Sequence, residues 1–214
     1  MHIAITGNIG AGKTTLAEQL AEHYGWEVLY EAVEGNPYLA DFYSDMPRWA
    51  FNLQVYFLNS RFAQVKRIVD IQQSNQRHQD QSHTVVQDRT IYEDAAIFAR
   101  NLYQSGDMLE RDFKTYRDLF ANMTSFVQPP DLMIYLRASL PKLRQQIQKR
   151  GRSFEQSISD EYLNSLNQLY EEFVGSYQLG PLLIVDVDGI DFAKNPADFT
   201  RILRQIDLKL SKEV

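Results

Sequence analysis

Two rhythms of apolar and polar residues divide the chain. Five short runs, HIAIT (2–6), WEVLY (26–30), HTVVQD (83–88), DLMIYLRA (131–138) and LLIVDVD (182–188), are separated by stretches whose apolar residues recur at helical spacing. Strands this apolar are covered on both faces, and their alternation with helices predicts a five-stranded parallel sheet, an α/β fold with helices on both sides. After the first strand, AGKTTLAEQLAEHYG reads as a helix stopped by Gly25. Residues 48–73 hold helical spacing for about seven turns, longer than a usual globular helix, so this segment is expected to line a cleft, a dimer face, or both. A further helix is expected over 107–127. The polar stretch QQSNQRHQDQSH (72–83) reads as a solvated helix end and loop, and no internal repeat is present.

Composition narrows the class. A chain of 214 residues with 44% hydrophobic content and no linker-like stretch predicts one domain over 1–214. The charge is acidic, 28 Asp+Glu against 22 Lys+Arg, with no basic tail, so no nucleic acid partner is expected. The absence of Cys excludes disulfides, a thiolate nucleophile and a Cys-ligated zinc. No room precedes the first strand for a signal peptide, and no apolar run approaches spanning length, so the expectation is a cytoplasmic protein without a membrane partner. His2, His23, His78 and His83 show no ligand or relay spacing.

GNIGAGKTT changes the picture most. Gly7, Gly12, Lys13 and Thr14 satisfy G-x-x-x-x-G-K-[ST] between a strand and a helix, the setting in which backbone N–H groups curl around phosphates at a helix N-terminus. The run Gly7, Asn8, Ile9, Gly10, Ala11, Gly12, Lys13, Thr14, Thr15 is the expected ATP cradle of a P-loop NTPase fold. Lys13 would reach the β/γ oxygens and Thr14 would ligate Mg²⁺. The cradle names the donor only, since water, a nucleotide or a neutral hydroxyl could each take the phosphoryl group. Ligands of such sheets collect beyond the strand C-termini, where Glu31 follows WEVLY and Asp88-Arg89-Thr90 follows HTVVQ. One carboxylate there can take a hydroxyl proton, and another can hold the metal.

The series GNIGAGKTT, YEAV, NPYLADFYSDMPRWAFNLQ, DRTIYEDAAIFARNLY and KRGRSFEQSISDEYL resembles the deoxynucleoside kinases from the first strand to the C-terminal helix. That resemblance implies transfer of the ATP γ-phosphate to the 5′-hydroxyl of a deoxynucleoside, and a homodimer. It implies Glu31 as general base, Arg89 steadying the same oxygen and the developing charge, and Asp88 at the acidic Mg²⁺ position. Tyr43 and Glu155 match the pair that binds the sugar 3′-hydroxyl, Gln54 the amide that reads the base, and Phe98 the ring stacked on it. Arg150 and Arg152 match the lid, 150–156, that closes over the phosphates. Two positions depart from many relatives: Ala32 stands where Pro follows the glutamate, and Gln146 stands in place of a further lid Arg.

Arg61 and Asp94 match the positions that separate purine and cytidine users from thymidine users. A buried Arg61–Asp94 pair would let Asp94 face an exocyclic amine, whereas thymine O4 would set two acceptors against each other at a cost of about 1–3 kcal/mol. Thymidine is therefore expected to be poor; NPYLADFY and the short lid resemble those of bacterial purine-leaning members, a resemblance that implies deoxyadenosine first, with deoxyguanosine or deoxycytidine secondary. Two rivals remain. A thymidylate-like monophosphate kinase would want its own Arg cluster for the acceptor phosphate, and Glu31 would repel that anion. A regulatory NTP-binding switch would use the long helix as a partner surface and leave Tyr43, Gln54 and Glu155 no reason to share a pocket.

Overall fold

The computed structural model describes residues 1–78 and 83–211. Its sheet is built from β1 (His2–Thr6), β2 (Glu27–Leu29), β3 (Val85–Asp88), β4 (Leu132–Arg137) and β5 (Leu182–Asp186) in the order β2-β3-β1-β4-β5, every pair parallel. All five expected runs form strands, each shorter than or equal to its apolar run, because pairing ends where a neighbour ends. The three-residue β2, for instance, pairs with β3 alone.

Alternation within the strands splits the core in two. Ile3, Ile5, Val86, Ile134 and Leu136 share one cluster with residues of α1 (Lys13–Tyr24), α7 (Leu140–Arg150) and α9 (Pro196–Leu210). On the other face Val85 meets α3 (Met46–His78), while Tyr135 packs with α8 (Asp160–Ser176). Helices thus cover both faces of the central strands β1, β3 and β4, while the edge strand β5 alternates buried and exposed residues.

Gly25 caps α1 in the left-handed conformation, as expected of a helix stop. The long helix α3 exceeds its expected 48–73 at both ends. It continues to His78, so the front of the polar stretch at 72–83 is helical, and 79–82 lie outside the described residues. Its buried stripe runs Ala50, Leu53, Gln54, Leu58, Arg61, Val65, Ile68. The stripe packs on α2 (Leu39–Ser44) and α6 (Glu110–Thr124), the latter shorter than the expected 107–127. Between them lies one kinked helical run: α4 (Ile91–Glu93), a π-helical turn over Asp94–Ala99, and α5 (Arg100–Gln104).

Candidate active site

Backbone shape dominates the end of the site built from Gly7 to Thr15. Gly12 has φ +96° and precedes α1, and a Cβ there would lie 2.9 Å from Phe192 Cζ. A Cβ on Gly7 would lie 2.9 Å from Leu136 O. Only glycine lets this loop sit so close to its walls. Lys13 is buried and donates to Asn8 O at 3.0 Å. Burial, then the nearby Arg89, lower its pKa to about 8. Asn8 is itself tied to α8, donating to Leu163 O (2.9 Å) and Asn167 Oδ1 (2.6 Å).

Strand register delivers Asp88 to this loop, since β3 pairs Asp88 with Ile5. The Thr14 hydroxyl donates to Asp88 Oδ2 at 2.5 Å, and Asp88 Oδ1 is buried without a partner among the described residues. Burial raises the Asp88 carboxyl above its usual range against the pull of Lys13. A hydroxyl, a carboxylate oxygen with spare lone pairs and a phosphate cradle form a donor set that suits a hard divalent cation such as Mg²⁺. No group of three or more His, Cys, Asp or Glu that could hold a metal occurs among the described residues.

Side-chain charge dominates the opposite end. Glu31, two residues past β2, has Oε1 2.8 Å from Arg61 Nη2 and 2.9 Å from Arg89 Nε. Burial alone would raise its carboxyl, but Arg89, Arg61 and Lys13 together hold it well below the usual carboxylate range. Arg61 also donates through Nε to Asp94 Oδ1 at 2.8 Å, the buried pair expected from the sequence, and is thus shared between two carboxylates. Burial dominates at Asp94 and pushes its pKa up to about 6 despite Arg61. One turn beyond Arg61, Gln64 donates to Tyr30 O at 2.6 Å and fixes the height of α3 above β2.

The π turn brings Asp94 and Phe98 to the same cavity, a use of this rare geometry that recurs at functional sites. The Arg89 guanidinium lies 4.6 Å from the Phe98 ring centroid. Gln54 is buried, and its Oε1 has no donor among the described residues. Tyr43 stacks on Phe154 with centroids 5.9 Å apart. Glu155, which context alone would make a solvated loop residue, is only 4% exposed. It accepts from Arg150 Nε (2.9 Å) and Nη2 (2.5 Å) and from Arg152 Nη1 (3.3 Å). The lid is compact: Arg150 ends α7, Gly151 caps it, and Ser153–Glu155 form a 3₁₀ turn.

One cavity of about 940 Å³ joins the two ends. Glu31, Tyr43, Gln54, Arg61, Asp88, Arg89, Asp94, Phe98, Arg150, Arg152 and Glu155 line it together with Ile9, Gly10, Gly12, Lys13, Thr14 and Thr15. Gly7, Asn8 and Ala11 of the loop do not line it. Gln146 also lines the cavity. The sequence reading missed Glu93 and Tyr170, which meet Arg89 from behind. A signal for Glu93 was available in Thr90-x-x-Glu93, a capping-box pattern, whereas Tyr170 reads as one more apolar-face residue of α8.

The sequence pattern described as deoxynucleoside kinase matches residues 3–211. The chain belongs to the deoxynucleoside kinase family. A deoxyadenosine kinase of Lactobacillus acidophilus is 39% identical, covering 97% of this chain and 95% of that protein. A deoxyguanosine kinase of Bacillus subtilis is 36% identical over 95% of each. Among solved structures, a deoxyadenosine kinase from M. mycoides with bound dATP superposes with a TM-score of 0.82 at 32% identity, covering 97% of this chain and 99% of that one. This deoxynucleoside kinase is a phosphotransferase of nucleotide salvage with the P-loop NTPase fold. No helix among its described residues is long and apolar enough to cross a membrane.

Proposed function

We propose that this kinase transfers the ATP γ-phosphate to the 5′-hydroxyl of deoxyadenosine first, and of deoxyguanosine or deoxycytidine second. The observation that carries the discrimination against thymidine is a pair of orphaned acceptors. Gln54 Oε1 and Asp94 Oδ2 are both buried without a donor among the described residues, on two side chains that line the same cavity. A base bearing an exocyclic amine supplies donors to such oxygens, whereas thymine offers O4, a third acceptor, and leaves buried groups unsatisfied. Relatives named deoxyadenosine kinase and deoxyguanosine kinase are almost equally similar, so similarity alone does not choose the base.

In this reading Glu31, held ionised by its two arginines, accepts a hydrogen bond from the 5′-hydroxyl. Its proton passes to Glu31 as the new O–P bond forms and the β–γ bridging bond breaks, releasing ADP. A strongly acidic carboxylate suffices because the transition state is loose and the nucleophile surrenders its proton late. Thr14 and Asp88 would hold Mg²⁺, which when bound neutralises charge on the β- and γ-phosphates. Lys13 and Arg89 stabilise charge on the transferring group. Arg150 and Arg152 join them once the phosphates compete with Glu155, while Tyr43 and Glu155 take the sugar 3′-hydroxyl.

Chain 1–214 acts as one domain in the cytoplasm, as a homodimer. Support for the dimer comes from α6 and its flanks, where Leu109 and Phe126 are exposed and Phe113, Leu119, Phe120 and Met123 are only partly covered. Carboxylates at the acceptor end disfavour a monophosphate acceptor. The test compares kcat/KM for the four deoxynucleosides with ADP release from ATP alone. Deoxyadenosine is expected highest and thymidine lowest, with no ADP formed without nucleoside; a thymidine preference would overturn the base assignment, and nucleoside-independent turnover the kinase mechanism.

A further inference from the structure

Arg89 carries φ +72°, the one positive φ on a non-glycine residue among the described residues. Such backbone persists only where surrounding contacts over-determine it. The contacts in front are Glu31 and the Phe98 ring; behind lies a closed set of side chains that the transfer chemistry does not use. Arg89 Nη1 donates to the Tyr170 hydroxyl at 2.6 Å and lies 3.4 Å from Glu93 Oε2. The Tyr170 hydroxyl donates in turn to Glu93 Oε2 at 2.8 Å. Glu93 is wholly buried, and its two oxygens divide the work. Oε1 accepts from Thr90 N at 2.8 Å and caps the helix start, whereas Oε2 serves only Tyr170 and Arg89.

We propose that Glu93 and Tyr170 are positioning residues that hold the Arg89 guanidinium at the reacting centre while Glu31 takes up the substrate proton. The inference rests on the assignment of Arg89 to the transferring group. Its physical basis is a change of charge during the reaction. Glu31 Oε1 lies 2.9 Å from Arg89 Nε as an ion pair without hydrogen-bond geometry, so this hold is electrostatic and lasts only while Glu31 is a carboxylate. As Glu31 gains the 5′-hydroxyl proton that anchor weakens, at the moment when Arg89 must stay in place. The anchor behind it takes no part in the proton transfer, so Nη1 stays fixed on Tyr170 and Glu93. Tyr170 also sits on α8, one turn past Asn167, whose side chain meets Asn8 of the phosphate loop. The same helix therefore sets the guanidinium and the donor loop at a fixed separation.

The test is a double-mutant cycle with Tyr170→Phe and Arg89→Lys, reading kcat and deoxynucleoside KM separately. Phenylalanine keeps the ring that stacks on Tyr135 (centroids 5.7 Å apart) and removes only the hydroxyl. Tyr170→Phe is expected to lower kcat about ten- to a hundredfold with KM changed less than about threefold. In the Arg89→Lys background it is expected to do nothing further, because it acts through the guanidinium. Glu93→Gln, which keeps an oxygen for the Thr90 cap, is expected to follow the same pattern. An unchanged kcat in Tyr170→Phe, or losses that multiply in the double variant, would overturn the positioning role while leaving Arg89 assigned. An unchanged kcat in Arg89→Lys would overturn the assignment of Arg89 and the inference together.

Discussion

The two ends of the cavity hold their ligands by opposite means. At the donor end a continuous stretch of backbone does the work, with walls that close to 2.9 Å of where Cβ atoms would stand on Gly7 and Gly12. At the acceptor end the work falls to side chains from the segment after β2, from α3, the π turn and the lid, with Arg61 shared between Glu31 and Asp94. Backbone recognition is rigid and indifferent to the group that accepts the phosphate. Side-chain recognition leaves orphaned oxygens, at Gln54 and Asp94, and so carries information about the ligand. A single chain can thus share its donor half with unrelated enzymes while its acceptor half sets the substrate.

The sharpest way to break this division is Glu31→Gln. The amide keeps the shape and loses both the base and the negative partner of Arg61 and Arg89. A fall in kcat of about 10²–10⁴-fold is expected, with ATP KM little changed. Loss of ATP binding instead would show that the two ends are not separable.

Next in size is Asp94→Asn. The orphaned carboxylate oxygen is exchanged for a group that can present an N–H to a carbonyl. Selectivity for deoxyadenosine over thymidine, measured as a ratio of kcat/KM, should fall by about 10–100-fold, the equivalent of roughly 1–3 kcal/mol. An unchanged ratio would remove Asp94 from base reading.

Legibility in the sequence divides along the same line. The donor loop is one contiguous word, so Gly7 to Thr15 could be read directly from residue types and spacing. The central strands were nearly as plain, since β1, β3 and almost all of β4 are buried on both faces. Acceptor residues lie on segments far apart in sequence, and family resemblance rather than spacing brought Tyr43, Gln54 and Glu155 forward. Gln54 and Arg61 do leave a trace, as polar residues on the buried stripe of α3. Nothing local marks the π turn or Tyr170, because the first depends on one extra residue per turn and the second on which helix packs behind Arg89.

A smaller effect is expected from Gly12→Ala. Its φ of +96° disfavours any side chain, and the new methyl would press on the Phe192 ring. The cost is about 1–3 kcal/mol, a fall in Tm of roughly 2–12 °C, with a raised ATP KM and an unaltered deoxynucleoside Kd. Equal damage to both ligands would mean that the loop supports the acceptor pocket as well.

The mildest probe is pH, and it addresses the one side chain that works beside the backbone cradle. Burial, then Arg89, bring Lys13 to about 8 from its ordinary 10.5. Polyphosphate favours the charged ammonium, so above about pH 8 ATP binding must take up a proton. ATP KM should rise about tenfold between pH 7 and 9, whereas deoxynucleoside KM stays flat across that window, because Glu31 is held far below it and Asp94 titrates near 6. Folding stability moves the other way for this group. Between about 8 and 10.5 the unfolded chain binds more protons at Lys13 than the folded one, so its contribution to stability grows as pH rises. An ATP KM that is flat through pH 9 would mean that Lys13 stays charged in the free enzyme, and that the ion pairs of the acceptor end reach further across the cavity than the division between backbone and side chain allows.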